Sequence, residues 1–111
     1  MRHYYRLVDR GDVEGLIALF DTDAVYHRPG YQPLHGHEEL RHFYLEDRVI
    51  RDGRHDLDTV IASDDEVAVH GSFRGMLHDG NEVDVRFADF FTFQSDGSFS
   101  RRDTFFFAPL V

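Results

Sequence analysis

The chain has 111 residues, the usual size of one domain (expected over residues 1–111), and 41% of them are hydrophobic, which is enough for one core. It has no cysteine, so disulfides and thiolate chemistry are excluded and a cytoplasmic location is the default expectation. With a formal charge of −9, scattered arginines and no apolar run near the ~20 residues of a membrane span, neither nucleic acid nor a membrane is expected as a partner.

The N-terminal half of the chain shows the 3.6-residue period of amphipathic helices. This period predicts helices over residues 2–10, 13–20 and 36–50. Between the last two, a short strand is predicted over residues 24–28. Two prolines and a glycine then predict a loop over residues 29–35.

In the C-terminal half the period changes from 3.6 to 2, which is typical of strands. The predicted strands cover residues 55–62, 66–77, 82–93 and 99–107. Helices followed by a run of antiparallel strands indicate the α+β class, with the helices on one face of a curved sheet.

The strand over residues 82–93 carries an acid on its core-facing row. Asp89 lies between Phe87 and Phe91 on that apolar face. A buried carboxylate is costly unless it is paired or hydrogen-bonded. Two interpretations therefore stay open. Asp89 is a structural acid bonded to its neighbours, or its apolar surroundings keep it protonated and it works as a proton donor.

The dipeptide Asp79-Gly80 is a strong hairpin signal. If its two residues are the central turn positions, His70 lies opposite Asp89 on the neighbouring strand. His70 is then a partner that keeps Asp89 charged, a base, or a satisfied interior histidine. Arg74, further along the same strand, is a candidate anchor for a ligand carboxylate or phosphate, or else a solvated ion-pair partner.

The dipeptide Asp96-Gly97 predicts a second hairpin. With a two-residue turn, the side chains that share the face of Asp89 are those of Thr104, Arg102 and Phe106. Arg102 is then a second candidate ligand anchor. A three-residue loop would instead bring Asp103 to that face, and this alternative stays open.

Eight histidines raise the question of a metal site. His37 and His42 flank two glutamates in a predicted helix, but they are five residues apart, whereas a helical zinc pair needs i and i+4. His35 and His37 would give two ligands, and no third ligand follows at a telling spacing. Neither a metal nor a cofactor is therefore expected.

The order of elements resembles the nuclear-transport-factor-like fold, and more closely its SnoaL-like cyclases and ketosteroid isomerases. The resemblance is carried by the stretches YYRLVDRGDVEGLIALFDTDAVY (4–26), PLHGHEELRHFY (33–44) and VRFADFFTFQSDGSF (85–99). It implies a cone, in which a strongly curved, mixed sheet wraps around three N-terminal helices as a cystatin-like α+β barrel. It also implies an apolar pocket for a hydrophobic small molecule and a homodimer through the outer sheet face. Many relatives have residues before the first helix, so the pocket wall is expected to be thin there.

The resemblance also implies site residues. In ketosteroid isomerases, a first-helix tyrosine and a protonated aspartic acid on a central strand donate hydrogen bonds to an enolate oxygen. Tyr4 and Asp89 match these two, and Tyr44 matches a supporting tyrosine. The family's general-base aspartate is replaced here, because His27 or Arg28 stands at that position. Arginine cannot act as a base near neutral pH, whereas histidine can.

Two functions follow from this reading. The first is cofactor-free acid–base chemistry, an isomerisation, cyclisation or hydration, with Asp89 and Tyr4 at a developing oxyanion and His27 or His70 moving the proton. The expected ligand-binding side chains are those of Tyr44, Arg74, Phe87, Arg102, Thr104 and Phe106. The alternative is a non-catalytic binding domain, or a dimeric scaffold whose interior is filled by phenylalanines.

Overall fold

The computed structural model describes residues 1–107 and shows an α+β fold with one curved, unclosed, six-stranded sheet. The helices are α1 (Arg2–Arg10), α2 (Val13–Ile17) and α3 (Gly36–His42), which continues as a π-helical turn (Phe43–Asp47). The strands are β1 (Phe20–His27), β2 (Leu34–His35), β3 (Ile50–Ala62), β4 (Glu66–Leu77), β5 (Glu82–Phe93) and β6 (Phe99–Phe106). The predicted fold class is confirmed. Among the described residues, no helix has the length and apolarity needed to cross a membrane.

The sheet has the strand order β2-β1-β6-β5-β4-β3, so β2 and β3 form its two edges. Strand β1 runs parallel to β6, and every other neighbouring pair is antiparallel. The parallel pair places Tyr26 beside Arg102. Side chains from both ends of the chain therefore meet on the concave face of the sheet.

Helix α1 buries its apolar face against this concave side. The ring of Tyr4 contacts Phe20, Phe91 and Phe99 edge to face, with centroid distances of 5.8, 5.6 and 5.4 Å. Each of these four side chains is at most 5% exposed. The aromatic cluster fills this end of the interior, and edge-to-face contacts are the geometry that such rings prefer.

The boundary between the third helix and the next strand lies earlier than predicted. The helical segment ends at Asp47 and β3 begins at Ile50, whereas the sequence predicted a helix to residue 50 and a strand from residue 55. Gly53 does not end a helix but lies within β3. The ring of Phe73 on β4 packs where a Gly53 side chain would stand, so close packing between strands requires this glycine.

Strand β1 is longer than predicted at its N-terminal end. It begins at Phe20, which the sequence placed on the second helix, because Phe20 pairs with Phe99 of β6. The predicted loop over residues 29–35 also contains the short strand β2, which pairs with β1. Both differences come from pairing partners that are distant in sequence.

The first hairpin differs from the prediction by one residue. Its loop contains three residues, 78–80, because the N–H of Leu77 donates to the carbonyl of Asn81 at 2.8 Å. Val69 therefore lies opposite Asp89, and the predicted placement of His70 is wrong. A one-residue slip turns a side chain to the other face of the sheet, so His70 lies on the outer face.

Arg74 moves to the outer face for the same reason. It lies opposite Asp84 rather than Val85, and its Nε is 3.3 Å from Asp84 Oδ2. Its side chain is 76% exposed. The predicted role of Arg74 as an anchor inside the pocket is therefore wrong, and its alternative as a solvated ion-pair partner fits.

The second hairpin keeps the predicted register, with Thr104 opposite Asp89. Its loop nevertheless has three residues, 95–97, because the N–H of Gln94 donates to the carbonyl of Ser98 at 2.8 Å. A register shift just beyond the loop restores the predicted pairing. Arg102 consequently faces the interior and Asp103 faces the opposite side.

Candidate functional site

A buried ion pair lies on the concave face of the sheet. Arg102 on β6 donates to Asp89 on β5 through two hydrogen bonds, from Nε to Oδ1 at 3.1 Å and from Nη2 to Oδ2 at 2.8 Å. Asp89 is fully buried and Arg102 is 5% exposed. Two roughly parallel N–H···O bonds are the bidentate geometry that a guanidinium and a carboxylate prefer.

Two hydroxyl groups complete the shell around Asp89. Tyr5 donates to Oδ2, and Thr104 donates to Oδ1. The carboxyl group of Asp89 therefore accepts four hydrogen bonds, two at each oxygen, which are one from the guanidinium and one from a hydroxyl. This geometry supports the structural interpretation of Asp89 and gives no support to a role as proton donor.

The remaining arm of Arg102 reaches two tyrosines. Its Nη1 donates to the hydroxyl of Tyr4 at 2.6 Å and to that of Tyr44 at 3.3 Å, and the two hydroxyls are 3.0 Å apart. Among the described residues, Tyr44 is the acceptor within reach of the buried Tyr4 proton. Tyr44 then accepts twice and keeps its own proton for another group. We call Asp89, Arg102, Tyr4, Tyr5 and Thr104 the buried network.

Burial keeps the tyrosines around Arg102 neutral. It raises the pKa of Tyr4 well above its ordinary value, although Arg102 acts in the opposite direction. Burial raises the pKa of Tyr26 to about 12, again against Arg102, and the pKa of Tyr5 is raised by burial and by the Asp89 carboxylate. Burial, the largest single influence, acts to lower the pKa of Arg102, but Asp89 and the neighbouring tyrosines together outweigh it and the pKa is raised. The guanidinium is charged and these hydroxyls are not bases.

A cavity of about 140 Å³ lies beside the buried network. Its apolar wall includes Val8, Phe43, Ile50, Phe73, Phe87 and Phe106. Polar side chains reach it from separate elements, namely those of Tyr26, Tyr44, His55, Arg102 and Thr104. A cavity of about 150 Å³ in another protein takes up benzene, so this space admits about one ring.

One further polar group in the cavity wall, His55 on β3, was not predicted. Its Nδ1 lies 2.6 Å from Asp9 Oδ1, and its backbone N–H donates to Asp9 Oδ2 at 2.9 Å. Because the carboxylate accepts, Nδ1 carries the proton of the neutral ring and Nε2 keeps the lone pair. The ring packs against Phe73 and Tyr5 at centroid distances of 4.7 and 5.0 Å. An imidazole oriented by a carboxylate is the usual arrangement of a general base.

The sequence contains only a weak signal for this pair. Alternation along the predicted strand 55–62 puts His55 and Leu57 on one face, so the inward direction of His55 was readable. Asp9 lies near the end of α1, and nothing in the local pattern joins it to β3. The contact is tertiary and depends on how α1 packs against the sheet.

The two residues predicted for the base position, His27 and Arg28, point in different directions. His27 points away from the cavity, on the face of β1 opposite to the buried Tyr26, and its Nδ1 lies 2.9 Å from Asp103 Oδ1. Arg28, the next residue, lines the cavity. The prediction of His27 as a base in the cavity is therefore wrong about the face.

Most predicted ligand-binding side chains do line the cavity. They are Tyr44, Phe87, Arg102, Thr104 and Phe106. Asp89 and Tyr4 are not among the lining residues, and both contact Arg102, which is one of them. Among residues 1–107, no group of three or more His, Cys, Asp or Glu side chains could hold a metal ion.

Comparison with known proteins agrees with this architecture. Similar solved structures are SalBIII, an epoxide hydrolase/cyclase-like enzyme with a role in pyran ring formation in the polyether salinomycin (19% identity, TM-score 0.83, 96% of this chain and 86% of that chain covered), an NTF2-like protein of unknown function from Exiguobacterium sp. 255-15 (20%, 0.81, 94% and 94%), and TerC crystallised with polyporic acid (21%, 0.81, 94% and 85%). At these identities the likeness shows the fold alone. The model of the SnoaL-like domain family matches residues 1–102, and the chain belongs to this family.

Proposed function

We propose that this protein binds a small hydrophobic molecule in its cavity and carries out cofactor-free acid–base chemistry on it, as an isomerisation, cyclisation or hydration. The observation that carries the proposal is the meeting of His55, Tyr44 and Arg102 at one largely apolar cavity. An apolar pocket with a few convergent polar groups is the default candidate for a small-molecule site.

His55 is the proposed general base. With Nδ1 held by Asp9, Nε2 is the nitrogen that accepts a proton from a carbon or a water. Asp9 fixes the tautomer and stabilises the imidazolium that forms. Asp9 is thus a positioning residue, and a base of this kind typically contributes 10²–10⁴-fold to a rate.

Tyr44 is the proposed donor to the oxygen on which negative charge develops. Tyr4 and Arg102 both approach its oxygen, at 3.0 and 3.3 Å, so its own proton is available to a ligand. An N–H of Arg102, on Nη1, lies 3.3 Å from the Tyr44 oxygen and donates to it, which makes the Tyr44 hydroxyl a better donor in turn, although Asp89 offsets the charge of the guanidinium. Asp89 acts here only by holding Arg102 in place.

The relatives support a small-molecule role without fixing a reaction. SalBIII has a role in pyran ring formation and TerC was crystallised with polyporic acid, so both of these proteins have been studied with small molecules. The cavity here admits about one ring, which is too small for a steroid. Steroid isomerisation is therefore not part of the proposal.

The experiment uses a neutral, one-ring ketone. Cyclohexanone exchanges its α-protons for deuterium when a base removes a proton and a donor stabilises the enolate oxygen. NMR in deuterated buffer measures this rate with wild-type protein and with His55→Gln. We expect a rate in excess of that of free imidazole at equal concentration, lost on substitution. An unaccelerated rate, or an unchanged His55→Gln variant, would contradict the assignment.

A non-catalytic binding domain is the second candidate. It is favoured by one observation, namely that the acid expected to donate a proton is instead engaged by Arg102, Tyr5 and Thr104. In that case ligands bind in the cavity and cyclohexanone exchange is not accelerated. The same assay therefore separates the two functions.

We also propose a homodimer through the outer sheet face. Phe90, Phe105 and Phe107 lie there and are 46%, 55% and 61% exposed. The rings of Phe90 and Phe105 are in contact, with centroids 5.9 Å apart, and form a continuous apolar patch. Patches of this kind mark interaction surfaces. Analytical ultracentrifugation of the wild type and of Phe105→Asp tests the assignment, and a monomeric wild type would remove it.

A further inference from the structure

Two arginines at the opening of the cavity have no acidic partner. We call Arg28, Tyr31 and Arg48 the cavity opening, because they line the cavity and Tyr31 is 61% exposed. Most arginines of this acidic chain pair with a carboxylate, but Arg28 and Arg48 make no ion pair with any residue of the described part of the chain. The acid that lines the same cavity, Asp47, lies 3.1 Å from His42.

Arg28 is held by aromatic rings and not by hydrogen bonds. Its guanidinium carbon lies 3.9 Å from the ring centroid of Phe43 and 4.5 Å from that of Tyr31. Stacking of this kind fixes the guanidinium plane and leaves its N–H edge free. The Nε atom is buried and has no hydrogen-bond partner within residues 1–107. A buried donor without an acceptor is costly, and residues 1–107 leave this cost uncompensated.

The distribution of charge along the cavity orients such a ligand. At the inner end, Arg102 is neutralised by Asp89 at 2.8 Å. At the cavity opening, Arg28 and Arg48 make no ion pair within residues 1–107, and their two positive charges exceed the single charge of Asp47, the acid among the lining residues. The net charge of −9 repels anions in general, so these two arginines are the local exception. An anionic group is therefore favoured at the opening, with the apolar part of the molecule inside.

We propose that the ligand is a carboxylic acid with a single ring, whose carboxylate binds Arg28 with Arg48 beside it. A carboxylate is planar and matches the edge of a guanidinium with two hydrogen bonds. The ring fills the space of about 140 Å³, against Phe43, Phe73 and Phe87. The far end of the ring then faces Tyr44 and His55. This proposal rests on the cavity of the proposed function and names its ligand class.

The test compares benzoate with its neutral analogue benzamide. Amide-detected NMR titrations measure the dissociation constants of both with the wild type, Arg28→Gln, Arg28→Lys and Arg74→Gln. We expect benzoate to bind the wild type about tenfold or more tightly than benzamide, with shifts at the cavity residues. Arg28→Gln removes this preference, because benzoate loses the charge and the paired hydrogen bonds of Arg28 and its affinity falls far more than that of benzamide. Arg74→Gln removes the same charge on the outer face and keeps the preference.

Three results would overturn the proposal. They are equal affinities for benzoate and benzamide, a benzoate preference that survives Arg28→Gln, and shifts confined to residues outside the cavity. If Arg28→Gln does not fold, Arg28→Lys decides, because it keeps the charge and loses the bidentate edge, and a preference kept in full would overturn the assignment.

Failure of this proposal is distinguishable from failure of the proposed function. Cyclohexanone is neutral and needs no carboxylate site. Accelerated exchange without a benzoate preference leaves the acid–base chemistry standing and removes the ligand class. A benzoate preference without accelerated exchange supports the ligand class and removes the chemistry.

Discussion

The buried network and the cavity opening treat charge in opposite ways. In the buried network, Asp89 accepts four hydrogen bonds. No polar side-chain atom of the five network residues is buried without a partner. At the cavity opening, the Nε atom of Arg28 is buried and has no hydrogen-bond partner among the described residues. Neither Arg28 nor Arg48 forms an ion pair with an acid of residues 1–107. Satisfied buried polar groups stabilise a fold, whereas each unsatisfied one needs an explanation, which we propose to be a ligand. The difference between the two regions leads us to expect a stabilising role for the buried network and a binding role for the cavity opening.

The largest expected effect breaks the buried network. Asp89→Ala leaves the guanidinium of Arg102 buried without its counter-charge, so we expect the free energy of unfolding to fall by about 3–5 kcal/mol. Urea denaturation followed by circular dichroism measures this. Asp84→Ala, which removes an acid from an exposed pair with Arg74, is the control and should cost less than about 1 kcal/mol. Equal losses in the two variants would mean that burial of the pair is unimportant.

The next effect concerns the chemistry at the cavity. Tyr44→Phe removes the hydroxyl that we propose as the donor, and we expect cyclohexanone exchange to fall about a hundredfold, as for an oxyanion donor. Tyr31→Phe, a change of the same kind at the exposed cavity opening, is the control and should keep the rate. A Tyr44→Phe variant with the full rate would remove Tyr44 from the mechanism.

The pH dependence of stability sharpens the description of the buried hydroxyls. Tyr26 has a pKa of about 12 in the folded state against 10.0 ordinarily, so the unfolded chain loses its proton first as pH rises. The stabilisation is complete below pH ~10 and is lost as pH rises towards ~12, by about 2–3 kcal/mol. Urea denaturation at a series of alkaline pH values checks this. In Tyr26→Phe this part of the loss should disappear, and an identical profile would contradict the burial argument.

The smallest expected effect is at the cavity opening. Arg48→Gln removes a charge that makes no ion pair within residues 1–107, so the free energy of unfolding should change by less than about 0.5 kcal/mol. Thermal denaturation of the wild type and variant is the measurement. A loss of 2 kcal/mol or more, on the order of a broken buried contact, would show that Arg48 has a structural partner. The cavity opening would then no longer differ from the buried network in this respect.

The fold class and the inward direction of several site residues could be predicted from local sequence patterns. Alternation put Asp89 on the interior face, and the second hairpin correctly brought Thr104 and Arg102 to it. The first hairpin was one residue out, because Gly80 adopts a left-handed conformation (φ 88°) at the end of a three-residue loop. A dipeptide of the type Asp-Gly does not distinguish these two loop lengths, and each puts different side chains on a given face.

The partners of the site residues were not readable. The sequence showed Arg102 on the right face but not that Asp89 would take up two of its four side-chain hydrogen bonds. It showed His55 in a strand but not its contact with Asp9, which comes from a helix that packs across the sheet. Contacts of this kind depend on the distance between elements in three dimensions, for which hydrophobic periodicity carries no information.

The tautomer of His55 is the most direct test of the account, because the proposed base is the nitrogen that Asp9 leaves free. Long-range proton–nitrogen NMR distinguishes the two ring nitrogens of a neutral imidazole. We expect the proton on Nδ1, beside Asp9, and an unprotonated Nε2. A neutral His55 that carries its proton on Nε2 would contradict the account, since no base would then be presented to a ligand.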